Sequence, residues 1–280
     1  MFPRVSLYGY TNNCRGNVNK RELGYLYRVH ALMALAHLGY ATTRQLARIV
    51  HRECSASTRK MMTRTIRWLL EERLVVIKRD GDSVAGEMLV ALTAKGAGWL
   101  AEHGEPLPGG KAHARDWLRH AHSHRTACNS VYAALCGLLP EPGGWSEIEI
   151  RNGSAPLAEY AYYLDSQPTS KIPDVLVQLH DGALAWIEVE NSWRSDKDMQ
   201  KLRAFLRSIF WVPGQVREVR FVITRSGAKT VGERLRRLLS HDSDSGSPRQ
   251  VKEVDARILA QHVSVFSLDK DTLELSPVVF

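Results

Sequence analysis

Ile172-Pro173-Asp174-Val175-Leu176-Val177-Gln178-Leu179-His180-Asp181-Gly182-Ala183-Leu184-Ala185-Trp186-Ile187-Glu188-Val189-Glu190 is the stretch on which the second half of the chain turns. Two apolar runs flank His180-Asp181-Gly182, the pattern of a β-hairpin. Loop length decides what that hairpin does with its acids. A two-residue Asp181-Gly182 turn pairs 180 with 183 and opposes Asp174 to Val189, which scatters the charges. A three-residue loop with Gly182 in the left-handed conformation pairs 179 with 183 and sets Asp174 across from Glu188. Glu190 then shares that face, because side chains alternate along a strand. On this second register three carboxylates converge. Such a cluster beside a buried sheet needs a divalent cation or an ammonium, and oxygen-rich acids suit Mg2+ or Mn2+. A metal so placed would polarise a phosphate and supply a nucleophilic water, the logic of DNA hydrolysis.

Helical periodicity is expected over 112–138 before the hairpin, followed by a strand over Trp145 to Ile150, where Glu147 and Glu149 alternate with apolar residues as in an ordinary half-exposed strand. After the hairpin, Ser195-Asp196-Lys197-Asp198 caps a helix to about Ser208, 218–224 reads as a strand, and Thr230 to Leu239 as a helix. A polar, turn-rich loop from Ser240 to Pro248 precedes a last strand around Val263-Ser264-Val265-Phe266. Tyr160, Tyr162 and Tyr163 read as cover for a sheet edge in preference to a base-stacking platform.

The N-terminal third has a different rhythm. Residues 22–39 carry leucines at helical spacing and stop at Gly39, and Thr42-Thr43-Arg44-Gln45 is a capping box for a second helix. A third helix, about Ser57 to Glu72, places Met62, Ile66, Leu69 and Leu70 on one side and Lys60, Thr63, Arg64 and Arg67 on the other. Leu74 to Lys78 and Glu87 to Leu92 then read as a hairpin, and Thr93-Ala94-Lys95-Gly96 opens a fourth helix. Two prolines and three glycines in Gly104 to Gly110 break the chain, so the expected organisation is 1–103, a linker over 104–111, and 112–280.

Charge follows that division. The whole chain has 38 Lys plus Arg against 30 Asp plus Glu, a net +8. Residues 1–110 hold 16 basic and 9 acidic side chains, an excess of +7, whereas the remainder is nearly balanced at +1. A concentrated positive excess points to a phosphate-bearing partner, and Arg59, Lys60, Thr63, Arg64, Arg67, Lys78 and Arg79 are the residues placed to meet double-stranded DNA. No apolar run reaches the roughly 18 residues of a membrane span, and no export signal opens the chain, so a cytoplasmic protein with no membrane partner is expected. Cys14, Cys54, Cys128 and Cys136 form no finger-like spacing and read as buried thiols. His113, His120 and His124 recur on one helical face. Without a carboxylate or cysteine at ligand spacing, they read as solvated or locally bonded.

Three family resemblances rest on these residues. The runs Thr42 to Val50, Ser57 to Leu74 and Leu92 to Leu100 resemble winged-helix transcription regulators, which implies that the third helix enters the major groove while the hairpin touches the backbone. Pro173-Asp174 followed by Glu188-Val189-Glu190 resembles the PD-(D/E)XK nuclease superfamily, in which the aspartate and the next acid hold the metal and a lysine two residues on activates water. Glu190 stands where that lysine is expected. Some members work with an acid there and in others the lysine has moved to the following helix, which points to Lys201. The whole arrangement from about 22 to 240, with Lys201-Leu202-Arg203-Ala204-Phe205, is similar to the replication-relaxation family of plasmids and integrative elements, and His124 and Asn129 match polar positions on its equivalent helix.

The expected fold is therefore α/β (α+β), a winged helix-turn-helix followed by a nuclease-like mixed sheet flanked by helices. Two functions stay open. One is a Mg2+- or Mn2+-dependent deoxyribonuclease with Asp174 and Glu188 as metal ligands and Glu190 and Lys201 assisting. The other is a non-catalytic DNA-binding regulator or replication accessory factor, and a second copy of the chain or other mobile-element proteins are the further partners considered.

Overall fold

The computed structural model describes residues 19–79, 87–103, 118–119, 121–136, 143–191, 195–211, 214–225, 228–240, 257–258 and 261–279. The expected linker 104–111, the tip of the first hairpin, His113, His120 and the polar stretch 241–248 lie outside them.

The first elements are α1 (Lys20–Leu38), β1 (Tyr40–Thr42), α2 (Thr43–His51), α3 (Ala56–Glu71), β2 (Val75–Arg79), β3 (Met88–Leu92) and α4 (Ala94–Glu102). Local chemistry sets their ends. Asn19, Thr42, Ser55 and Thr93 each accept a backbone N–H of the first turn through their side chains. β1, β3 and β2 form a three-stranded antiparallel sheet in that order. Gly96 is required where α4 crosses β2: a Cβ there would stand 2.1 Å from the Leu74 carbonyl oxygen.

The rest comprises α5 (Ser123–Cys136), β4 (Gly144–Ser146), α6 (Glu147–Arg151), β5 (Tyr160–Leu164), β6 (Gln167–Lys171), β7 (Val175–Gln178), β8 (Leu184–Glu190), α7 (Asp196–Ile209), β9 (Val216–Ile223), α8 (Ala228–Ser240), β10 (Val263–Leu268) and β11 (Leu275–Pro277). Six strands make one mixed sheet in the order β11-β10-β9-β8-β7-β4, with β8, β9 and β10 parallel and the outer pairs antiparallel. No helix among the described residues is long and apolar enough to cross a membrane.

Three details differ from expectation. Glu147 and Glu149 are not strand residues. Ser146 and Glu149 close a capping box, so the chain leaves β4 directly into α6 and both glutamates are buried. The long helix expected over 112–138 is interrupted: Leu118 and Arg119 are helical, Ala121 and His122 are not, and α5 begins at Ser123. The tyrosines 160, 162 and 163 belong to β5 of a separate two-stranded sheet, in which Leu164 pairs with Gln167. Its turn is made by Asp165 and Ser166 at φ 48° and 64°, without the glycine that would have advertised it. Tyr162 packs on Phe205 of α7 and the Tyr160 hydroxyl donates to the Ser208 carbonyl, so this hairpin covers α7.

The six-stranded sheet is buried on both faces. One face, with Trp186, Phe221 and Ile223, packs on Leu202, Phe205 and Leu206 of α7 and on Leu235 of α8. Across the other face, Val175, Val177, Ala185, Ile187 and Val189 share a core with α5 and with Leu32, Leu35, Leu46 and Leu69 of α1 to α3. The N-terminal helices thus pack into the sheet's own core. The contact is also polar: Asn129 donates to the Tyr40 carbonyl at 2.8 Å, and His37 Nδ1 lies 2.9 Å from a Glu149 carboxylate oxygen. The Gln45 side chain accepts from Thr42 N within the α2 cap and donates to Thr126 O and Ser130 Oγ of α5, so one amide both caps α2 and fastens it to the second half.

Beside this contact Glu147 is held by Arg125 at 3.1 Å and by Arg151 at 2.8 Å. Burial pushes its carboxyl up, but the two guanidinium groups outweigh burial and hold it below the usual carboxylate range. A depressed native value means that the contribution is present above the unfolded value and is lost as pH falls through the native one. Glu147→Gln is therefore expected to lower urea stability at neutral pH. The difference from the parent protein should vanish below the ordinary carboxylate range, and a gap independent of pH would refute the ion-pair account.

Candidate functional site

The hairpin that carries the acids has the three-residue loop. Leu179 N donates to Ala183 O, Gly182 has φ +84°, and Val175 pairs with Ile187. Asp174 lies one residue before the first paired position, beside Glu188. The register thus brings the two acids to one end of the strand pair.

Their carboxyl groups then take different partners. Asp174 Oδ2 accepts from the Val189 amide at 2.8 Å, and Oδ1 is 3.0 Å from His124 Nε2 on α5. Glu188, 1% exposed, accepts the Trp186 indole N–H at 2.6 Å and pairs with Lys171 Nζ at 2.8 Å. Trp186 packs on Phe205 of α7 at 4.9 Å between centroids. Asp174 therefore engages the α5 layer, and Glu188 the side covered by α7 and the β5–β6 hairpin. Glu190 is buried at the end of β8, where its residue pairs with Ile223.

Lys201 does not approach these acids. It sits one turn beyond Asp198 on α7, 3.5 Å from that carboxylate, with its side chain 45% exposed, while Met199, Leu202 and Phe205 take the buried face. Lys171, from the β5–β6 hairpin, is a cation next to Glu188. Tyr162 lies in the same environment, its hydroxyl pushed up by burial.

Among the described residues the metal-ligating side chains that gather are His124, Cys128 and Asp174, whose ligand atoms lie within 4.8 Å of one another. Asp174, Glu188 and Glu190 form no such group. Asp174 is bonded to a backbone amide and a histidine and Glu188 to an indole and an ammonium, and the three acids do not gather as the oxygen-only ligand set that Mg2+ or Mn2+ prefers. His124 and Cys128 are four residues apart on α5, one helical turn, so a cysteine does stand at ligand spacing from this histidine, contrary to the expectation, and Asp174 joins them from the strand side. The Asp174 hydrogen bond raises the His124 value despite burial, and burial pushes the Cys128 thiol up.

The basic residues of the first half lie elsewhere. Lys60, Thr63, Arg64 and Arg67 are exposed along α3, Arg59 is half-buried, and Lys78 and Arg79 are exposed at the end of β2. Lys78 Nζ also donates to the Leu118 carbonyl at 3.0 Å, and the Thr63 hydroxyl to the Arg59 carbonyl. No acidic residue interrupts α3 before Glu71.

The sequence profile of the family described as replication-relaxation matches residues 32–203. No curated protein and no solved structure matches the chain.

Proposed function

Since the chain belongs to the replication-relaxation family, a protein of mobile-element replication or relaxation, we propose that it is a duplex-DNA-binding factor that holds DNA through α3 and the β2–β3 hairpin, as a winged helix does, without cutting it. The observation that carries this reading is the exposed, acid-free cationic face of α3, continued by Arg79 on β2. Four positive side chains within nine residues, with no carboxylate among them, neutralise phosphate more readily than they form internal ion pairs. The non-hydrolytic part rests on the acids, since Asp174, Glu188 and Glu190 do not gather as a group of metal ligands among the described residues.

Two assays on the full chain test it. Duplex DNA should be retained in a gel at low salt, with affinity that falls steeply as salt is raised. Supercoiled and linear DNA should remain intact with Mg2+ or Mn2+. Nicking or cutting that disappears in Asp174→Ala and Glu188→Ala would overturn the non-hydrolytic part, and an affinity indifferent to salt would overturn the phosphate grip.

A further inference from the structure

We propose that His124, Cys128 and Asp174 form a binding site for a zinc-class divalent ion, with one coordination position left for water or an incoming anion. The ligand set comes from two elements that the fold holds together. His124 and Cys128 are successive turns of α5, and Asp174 stands where the chain enters β7, with Val189 N fixing its second carboxylate oxygen.

The spacing suits the ion. Imidazole nitrogen and carboxylate oxygen sit about 2.0–2.2 Å from zinc and thiolate sulfur about 2.3 Å. Tetrahedral ligands at those radii are roughly 3.3–3.8 Å apart. Here the three ligand atoms lie within 4.8 Å of one another, and the histidine and aspartate atoms are already at 3.0 Å. Closing the set needs only small side-chain rotations.

The donors choose the metal. A thiolate and an imidazole are borderline to soft ligands and favour zinc or cobalt, whereas Mg2+ demands six oxygens in near-octahedral order. The alternative chemistry is a metal-free set in which His124 and the Cys128 thiol both hydrogen-bond to Asp174. Zinc uses all three side chains. On binding, the Cys128 proton and the proton that His124 Nε2 donates to Asp174 pass to solvent, sulfur and imidazole nitrogen take the ion, and the dyad's hydrogen bond is exchanged for two metal bonds. The bound ion would tie α5 to the start of β7.

This inference does not rest on the DNA-binding reading, and its test is read without DNA. The metal-stripped full chain is titrated with Co2+. A thiolate-to-cobalt charge-transfer band in the near ultraviolet should saturate at about one ion per chain, and Zn2+ should displace it. Cys128→Ser should abolish the band. His124→Gln, at a half-exposed position, should weaken cobalt binding at least tenfold. Saturating Zn2+ should raise the melting temperature of the parent protein and not that of either variant. Absence of the band in the parent protein, or binding unchanged in both variants, would overturn the site. So would Mg2+ or Mn2+ protecting the fold where Zn2+ does not.

Discussion

Arg64→Ala combined with Arg67→Ala is expected to weaken duplex-DNA binding by about 10- to 100-fold and to flatten its salt dependence by about two units of slope, roughly one for each lost phosphate contact. Both side chains are exposed on the acid-free face of α3, opposite Met62, Ile66 and Leu69, which hold the helix on the core. Removing them leaves the packing of the helix untouched, so melting curves of the double variant should overlay those of the parent. Arg237 on α8 is also exposed, its side chain at 74%, and serves as the control. Arg237→Ala should change neither affinity nor slope. Equal losses from both arginine changes would mean that DNA responds to total charge and not to α3. A double variant with unaltered affinity would remove α3 from the interface altogether.

Trp186→Ala carries the largest expected cost in stability, about 3–5 kcal/mol for the buried ring with a further 1–3 for the hydrogen bond lost to a buried carboxylate. The indole is fully buried between the sheet and Phe205, and its N–H is donated to Glu188. Trp186→Phe separates the two contributions. It keeps an aromatic ring against Phe205 while removing the N–H donated to Glu188, so its loss should fall near the smaller figure. Urea denaturation measures both. If Trp186→Phe were neutral, the other partners of Glu188, Lys171 among them, would satisfy it. If it cost as much as alanine, the hydrogen bond and not the packing would hold this layer together.

Local chemistry was legible in the sequence, and distant partners were not. The α2 cap, the basic and apolar faces of α3 and the register of β7 on β8 depend on residues within one turn or one loop of each other. The three-residue loop follows from Gly182 and from where the apolar runs begin and end. β5 and β6 escaped notice because Asp165 and Ser166 adopt left-handed angles without glycine. Ser146 and Glu149 did carry a capping box, but alternating Glu and Ile presented the stronger strand pattern. The partners of the acids are 50 residues away in the case of His124 and Asp174, and in the case of Glu188 they come through a hairpin that had not been recognised. Alternation along a strand places a Cβ, whereas the carboxyl beyond it goes where donors are, and those donors belong to other elements.

The Gln45 amide that closes the α2 cap and grips α5 also has a bearing on how a duplex would be held. Had the first unit been tethered through the chain alone, DNA on α3 would swing freely about the sheet. Bolted by Gln45, Asn129 and His37, α3 instead points in one direction relative to β8, so bound DNA inherits a fixed compass heading and a fixed face of the double helix. Two molecules on neighbouring sites would then be sensitive to phase. Spacers that differ by a full helical turn, about 10 base pairs, would present the two sheets on the same side of the duplex, and a half-turn would set them back to back.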